Sequence, residues 1–461
     1  MERIIKGREK FWKGVIIFVC VLLCMYLGMS IYFINHFYFG SSINCINVSG
    51  KSVKDAEAKI LAEANGYSLE LEERDNVKDK INGIDINLQY NLGTKVEELK
   101  NNQNPFGWIY ALFISKEYKA AEITTYDENL LKEKYNKLSC FQNDNIIEPK
   151  NPSFEYTENG YVVADEVYGN KLNTDCLYKQ IVNAIVNGEK TLNLNATGCY
   201  ENPQYTTKST ETINAKNILN KYAASKITYS FGEKQEVLDG STIHNWLNID
   251  DNYTILLDEK KVKDYVKKLA NTYNTDGAIR EFTTSLGTKT KVSGGDYGWI
   301  IDISKETKDL IEIIKEGQSI TKEPAYMQTA ISRDINDIGN TYVEINLNKQ
   351  HLWYYKKGTL IVEGDVVTGN VSNGNSTPVG IYTLKFKEKN ATLKGQGYST
   401  KVDFWMPFNG GIGIHDANWR GSFGGKIYMT NGSHGCVNAP YYLANTIFNN
   451  IEEGTPIICY S

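Results

Sequence analysis

Residues Gly14 to Ile34 (GVIIFVCVLLCMYLGMSIYFI) form an apolar run of 21 with no charge, and no other stretch restricts the fold as tightly. Inside hydrocarbon every backbone N–H and C=O has to be satisfied within the segment, so a run of this kind is a helix. At about 1.5 Å per residue it covers the roughly 30 Å core of a bilayer. Arg3, Lys6, Arg8, Lys10 and Lys13 precede it, against Glu2 and Glu9 alone. The positive-inside rule then makes 1–13 a cytoplasmic tail, 14–34 the transmembrane anchor, and everything after Asn35 exported. A cleaved signal peptide would have an apolar region of about 7–15 residues and a small-x-small cleavage site. This run is longer and ends Ser30-Ile31-Tyr32-Phe33, so it reads as an uncleaved single-pass signal-anchor. No second run is long enough to span.

The 461 residues imply about three domains. Residues 1–34 hold five basic and two acidic side chains, so the exported part carries −8 against −5 for the whole chain. An acidic surface argues against nucleic acid as a partner. Six cysteines (Cys45, Cys140, Cys176, Cys199, Cys436, Cys459) over the exported part are too sparse for a disulfide framework, and their spacing leaves the pairing open. No zinc-ribbon spacing and no CxxC occur. Thirty-one tyrosines and nine prolines favour a β-rich chain.

The middle repeats itself. Lys80 to Ile86 (KINGIDI) resembles Val237 to Ile243 (VLDGSTI), and Tyr126-Asp127-Glu128 opens a helical pattern as Leu257-Asp258-Glu259 does. Tyr168-Gly169 and Tyr297-Gly298 each precede a further helix. Two related α+β modules, 40–205 and 206–325, account for this. Asp127, Glu128, Asp258 and Glu259 suit helix N-termini rather than acid chemistry. Trp108, Trp246 and Trp299 are read as core side chains before sugar platforms. The modules act as spacers that dock against something polymeric.

After a loose stretch from Ala325 to Thr341 a distinct domain, 340–461, begins. Val343, Ile345 and Leu347 alternate with polar neighbours, the mark of a half-buried strand. Lys356-Lys357-Gly358 turns a hairpin. Tyr382, Leu384 and Phe386 alternate in another strand, and Gly411, Gly413 and His415 share one face of a third. One good helix is expected late, capped by Asn438, with Pro440 in its first turn, Leu443, Ala444, Ile447, Phe448 and Ile451 on one face, and Gly454 at its end. The domain is mainly β, a small sandwich or barrel.

Its reactive groups cluster in Ser433-His434-Gly435-Cys436-Val437-Asn438, with His415 eighteen positions before Ser433. Only five histidines exist, and two lie within 21 positions of Cys436. A thiol is a weak nucleophile until a base takes its proton, and an imidazole is suited to that task. His415 could approach Cys436 across the sheet, and His434 would share a strand face with the sulfur if the segment is extended. Gly435 admits close backbone approach, and its N–H with that of Cys436 could hold an oxyanion. On spacing alone three other readings stand beside nucleophilic catalysis: a packing cysteine, a metal site, and a disulfide to Cys459.

The pattern H-x17-S-H-G-C-V-N resembles the signature of the L,D-transpeptidases of bacterial cell walls. Tyr342 to Lys357 resembles that family's opening hairpin, and Ser376-Thr377-Pro378-Val379-Gly380-Ile381-Tyr382 its Thr-Pro-x-Gly turn and strand. The middle modules resemble the peptidoglycan-binding repeats that often precede this domain. The resemblance implies an L,D-transpeptidase-type β-sandwich, with Cys436 as nucleophile, His415 as general base and the Asp416 backbone carbonyl orienting its ring. It makes His434 and Gly435 part of the catalytic loop, and Ser433, Asn438, Tyr398 (a lid tyrosine) and Trp419 (a pocket aromatic) substrate-binding. Asp416 stands where a smaller residue is expected. No cofactor and no metal are implied. The substrates would be peptidoglycan stem peptides, a tetrapeptide donor and an acceptor amine joined in a 3→3 cross-link, and carbapenems would acylate the cysteine. Two alternatives are a hydrolytic enzyme (L,D-carboxypeptidase or cross-link hydrolase) and a non-catalytic wall-binding protein. The implied location is the bacterial cell membrane, with the later domains outside. In a secreted eukaryotic protein Asn431-Gly432-Ser433 would place a glycan beside the cysteine.

Overall fold

The computed structural model describes residues 2–142, 146–334, 336–395 and 398–461, without the side chains of 2–6, 75 and 398. Two compact units emerge, one of residues 1–153 and 163–209, the other of 154–162 and 210–461. The first begins with helix α1 (Glu2–Asn35), the one helix among the described residues long and apolar enough to cross a membrane.

The repeat is a topological one. In the first unit the helix Val53–Glu63 leads into the hairpin Ser68–Glu72 and Lys78–Asn82, and after the helix Thr174–Val186 the strand Thr191–Asn193 returns parallel to Ser68–Glu72. In the second the helix Thr210–Ala223, the hairpin Lys226–Phe231 and Lys234–Leu238, the helix Ile303–Glu316 and the parallel strand Ser319–Lys322 follow in the same order. Asp127 and Asp258 cap equivalent helices, each carboxylate accepting two backbone N–H groups of the first turn. Trp246 and Trp299 are buried in the second unit. The spacing between matching positions falls from 157 (Gly83 to Gly240) to 131 (Asp127 to Asp258), so the first module holds 26 additional residues between them. Helices α2 (Lys95–Asn101) and α3 (Trp108–Ala111) lie in that insertion. A disulfide, Cys176–Cys199, closes the end of the first module, and Cys436 and Cys459 are both free, which removes a bridge between them.

Within the second unit the C-terminal domain is a mainly-strand sandwich, with nine strands among the described residues: β1 (Tyr342–Asn346), β2 (His351–Lys356), β3 (Thr359–Asp365), β4 (Gly380–Thr383), β5 (Glu388–Gly395), β6 (Tyr398–Asn409), β7 (Ile412–Asp416), β8 (Val437–Ala439) and β9 (Pro456–Tyr460). One sheet runs β3-β2-β1-β9-β4 and the other β5-β6-β7-β8, with β1–β9 and β7–β8 the parallel pairs. Val343, Ile345, Leu352 and Tyr354 from the first sheet share a core with Phe404, Met406, Ile414 and Val437 from the second. Helices α4 (Ile427–Asn431) and α5 (Tyr441–Asn450) complete the domain, and α5 adds Leu443, Ala444, Ile447 and Phe448 to the core.

Two expectations fail here for tertiary reasons. Asn438 does not cap the late helix: it lies inside β8, Pro440 holds the N-cap position, and Gly454 lies beyond the end of α5. Strand β1 is not half-exposed, because Glu344 and Asn346 are buried as fully as its apolar residues. The turn of the hairpin Arg280–Thr283 and Lys289–Val292 covers it. Ser285 donates to the Glu344 carboxylate from its N–H (3.0 and 3.1 Å) and its hydroxyl (2.5 Å), and Tyr460 donates from its hydroxyl (2.6 Å). The stretch from Ala325 to Thr341 is likewise pinned. Arg280 grips Asp337 through two bonds of 2.7 and 2.6 Å, buried, and Tyr297 donates to the Asp337 carbonyl at 2.5 Å.

Candidate active site

Strands β7 and β8 lie parallel with Ile414 opposite Val437 and His415 opposite Asn438. Paired residues of a ladder share a face and residues two apart return to it, so His415, Asn438 and Cys436 point the same way. Ile414 and Val437 take the opposite face, into the core. The sulfur is thereby diagonal to the imidazole, within side-chain reach across one strand spacing. Gly413, opposite the sulfur's place in the ladder, has to lack a side chain. A Cβ there would sit 2.7 Å from both the Pro407 Cα and the Trp405 ring, which lies against the His415 imidazole with centroids 6.0 Å apart.

A pocket of about 210 Å³ opens on this face, lined by His415, Cys436, Asn438, Ser433, His434, Gly432, Trp419, Arg420, Leu393 and Thr400. His415 is 4% exposed and Cys436 9% exposed. The His415 Nδ1 lies 2.7 Å from the Asp416 carbonyl oxygen. A carbonyl only accepts, so Nδ1 carries the proton of the neutral ring and the Nε2 lone pair is left for a substrate or thiol proton. Burial pushes the imidazole pKa below its ordinary value, the Asp416 carbonyl partly opposing this. Burial also pushes the Cys436 thiol up, with the Gly413 N–H pulling it back. Both shifts favour the uncharged forms of the two groups. Among the described residues the thiol donates to the Gly411 carbonyl, 3.5 Å away, rather than to the ring. The described residues hold no group of side chains able to ligate a metal.

The loop before the sulfur is not a strand. Gly435 has φ +118°, a conformation that a side chain would strain, so the alternation that would align His434 with Cys436 is broken. His434 is exposed and lines the pocket. Ser433 braces the turn: its hydroxyl donates to the Cys436 carbonyl (2.5 Å) and accepts the Gly435 N–H (3.0 Å). The Gly435 N–H expected at an oxyanion is therefore engaged within the loop. Thr377, part of the Thr-Pro-x-Gly turn, donates to the Gly435 carbonyl at 2.7 Å and holds the loop from the other side. Asn438, 2% exposed, has its side-chain oxygen buried without a partner among the described residues. Trp419 stacks on His415 with centroids 5.9 Å apart. Tyr398 begins β6 opposite Gly395, but its side chain lies outside the described residues.

The Asp416 side chain has a clear structural task. One carboxylate oxygen accepts the N–H groups of Asp403 (2.8 Å) and Phe404 (2.9 Å) on β6, and the other accepts from the Asn418 amide (3.0 Å). That clamp holds the peptide whose carbonyl orients the histidine. Sequence reasoning missed Arg420, a pocket residue whose Nη1 donates to Asn431 O (2.9 Å) while its buried Nε has no partner among the described residues.

Comparison with known proteins bears on the whole arrangement. The YkuD family model, L,D-transpeptidase catalytic domain, matches residues 340–459, and a model for a domain to which peptidoglycan binding is ascribed matches 80–193 and 206–322. No curated protein matches the chain. Among solved structures, a mutant of the Enterococcus faecium L,D-transpeptidase is 35% identical, covering 54% of this chain and 100% of that one, with a TM-score of 0.43. The catalytic domain of the E. faecium enzyme acylated by ertapenem is 41% identical over 26% of this chain and 98% of that one (TM-score 0.25). An L,D-transpeptidase from Mycobacterium tuberculosis is 22% identical over 26% and 58% (TM-score 0.24). On the family models and on identity over the full length of the first of these relatives, the chain belongs to the L,D-transpeptidase family, with two modules of the peptidoglycan-binding type before its catalytic domain.

Proposed function

We propose that the protein is a membrane-anchored L,D-transpeptidase that makes 3→3 peptidoglycan cross-links through a cysteine thioester. The observation that carries this reading is a free Cys436 thiol in one pocket with His415, whose Nδ1 is tied to a carbonyl and whose Nε2 is left to accept a proton. The thiol turns from Gly411, gives its proton to Nε2, and attacks the carbonyl of the third residue of a donor tetrapeptide. The C–N bond to the terminal D-alanine breaks, and the imidazolium returns the proton to the leaving amine. The side-chain amine of a second stem then attacks the thioester, passes a proton to His415, and releases the thiol. The developing oxyanion falls to the Cys436 N–H, since Gly435 spends its own on Ser433. Asn438 Oδ1 and Arg420 Nε offer an acceptor and a donor to the stem, the latter suited to a carboxylate. Positive charge before α1 supports an outer-face location for these groups.

The test is incubation of the second unit with tetrapeptide muropeptides and mass analysis of the products. Amine-linked 3→3 dimers are expected, with none from Cys436→Ala. Tripeptides with no dimer would make the protein a hydrolase, and dimers from the variant would move the chemistry away from Cys436. The acyl-enzyme is tested separately with ertapenem, which acylates the E. faecium relative. One added drug mass on the wild-type chain and none on Cys436→Ala is expected; an unmodified wild type would support a non-catalytic wall-binding protein.

A further inference from the structure

The 26-residue insertion that separates the first module from the second carries a run of apolar side chains with no protein over them. Phe106, Ile109, Tyr110, Leu112, Phe113 and Ile114 are 57, 44, 77, 54, 84 and 67% exposed, and residues 104–114 contain no charge. Patches of this kind on a water-facing surface mark an interaction site. Trp108, on the inner side of the same turn, clasps α1: its ring lies 5.9 Å from that of Tyr26 and 6.3 Å from that of Phe33, and its Nε1 donates to the Tyr26 carbonyl (3.3 Å). Tyr26 in turn donates its hydroxyl to the Phe106 carbonyl (2.8 Å).

Position along α1 sets the depth. Tyr26 lies eight residues before Ile34, the last residue of the apolar run, or about 12 Å down the helix from its outer end. That is within the outer half of a hydrocarbon core roughly 30 Å thick. The polar part of the insertion sits at the boundary instead: Lys100 donates to the Ile34 carbonyl and Gln103 to the His36 carbonyl, both at 2.9 Å. Backbone placed in hydrocarbon has to satisfy itself. The N–H groups of Gly107, Leu112, Phe113 and Ile114 donate to carbonyls of the same short segment.

We infer that residues 105–114 are embedded in the outer leaflet beside α1, with lipid acyl chains covering the exposed side chains. The occupant is lipid rather than a protein partner because the patch continues the lipid-facing surface of α1 at the same depth. This rests on the reading of α1 as a membrane span. The first module is then seated on the bilayer by two elements instead of swinging from one. The second module, without the insertion, has no such foot.

The full chain in phosphatidylcholine nanodiscs tests this, with the six free cysteines changed to serine and an environment-sensitive fluorophore on a single new thiol. Phe113→Cys and Tyr110→Cys, both at exposed positions, probe the insertion, Leu22→Cys the span, and Ile279→Cys a water-facing site. Blue-shifted emission at 110, 113 and 22, quenched several-fold more by acyl-chain nitroxide lipid than at 279, is expected. Lipid quenching at 22 alone, with 110 and 113 behaving as 279 does, overturns the inference and leaves the anchor standing. Loss of lipid quenching at 22 as well overturns both.

Discussion

Burial acts in opposite directions on the two groups that the proposed reaction uses. It holds His415 below its ordinary 6.5 and Cys436 above its ordinary 9.0, and each shift favours the uncharged form. The acid limb of the acylation profile should therefore fall below pH 6.5, where His415 gains a proton and ceases to be a base. Stability follows the same signs. The depressed histidine contributes stability present above pH 6.5 and lost as pH falls through its folded-state value; the raised thiol contributes below pH 9.0 and loses it as pH rises through its own. Melting temperature against pH should peak between these limits, and His415→Gln should flatten the acid side while cutting acylation about 10²- to 10⁴-fold. Asp416→Ala orphans the buried Phe404 N–H, at about 1–3 kcal/mol, and the half-buried Asp403 N–H. A fall in melting temperature and a changed His415 titration by NMR are expected, with Asp416→Asn, which keeps an acceptor, close to wild type. His415 and Cys436 were legible because their chemistry is rare in this chain and closely spaced. The Asp416 clamp was not, since its partners are main-chain amides 12 and 13 residues away that any side chain could carry.

Among elements, the 280–292 hairpin changes what the C-terminal domain can do alone. Alternation in β1 was readable, and so was its pairing into a hairpin with β2, because each depends on neighbours in the chain. Burial of its second face was not, since Ser285 reaches Glu344 from 59 residues away. Glu344→Ala removes the acceptor shared by the Ser285 N–H, the Ser285 hydroxyl and the Tyr460 hydroxyl, and a loss of roughly 1–3 kcal/mol is expected in denaturant melts. A fragment of 340–461 also uncovers Ile381, Ile458 and Tyr460, which pack with Phe282 and Tyr297. It should melt below a 206–461 fragment, and equal melting would show the hairpin contributes nothing. Asn438 illustrates the converse: a good capping residue was drawn into a strand because its backbone N–H and C=O exchange bonds with those of Val367, both at 2.9 Å.

Two units and one disulfide govern the behaviour of the whole molecule. Cys176–Cys199 closes 23 positions of the first unit, a constraint worth about 3 kcal/mol on the entropic account. Calorimetry should resolve two transitions, with reductant lowering only that of the first unit; a shift in both would mean that the units unfold together. By itself the sequence determined the apolar helix, the duplicated α+β modules, the β-rich end and the closely spaced cysteine and histidines, because periodicity, run length and the spacing of scarce side chains are properties of the chain taken in order. Only the tertiary structure decided that burial moves the imidazole down and the thiol up, that a hairpin of the second module seals the first sheet of the C-terminal domain, that Asp416 braces the histidine's carbonyl, and that an insertion grips α1. Each of these depends on desolvation or on hydrogen bonds between distant residues, and such energies exist only once the chain has closed on itself.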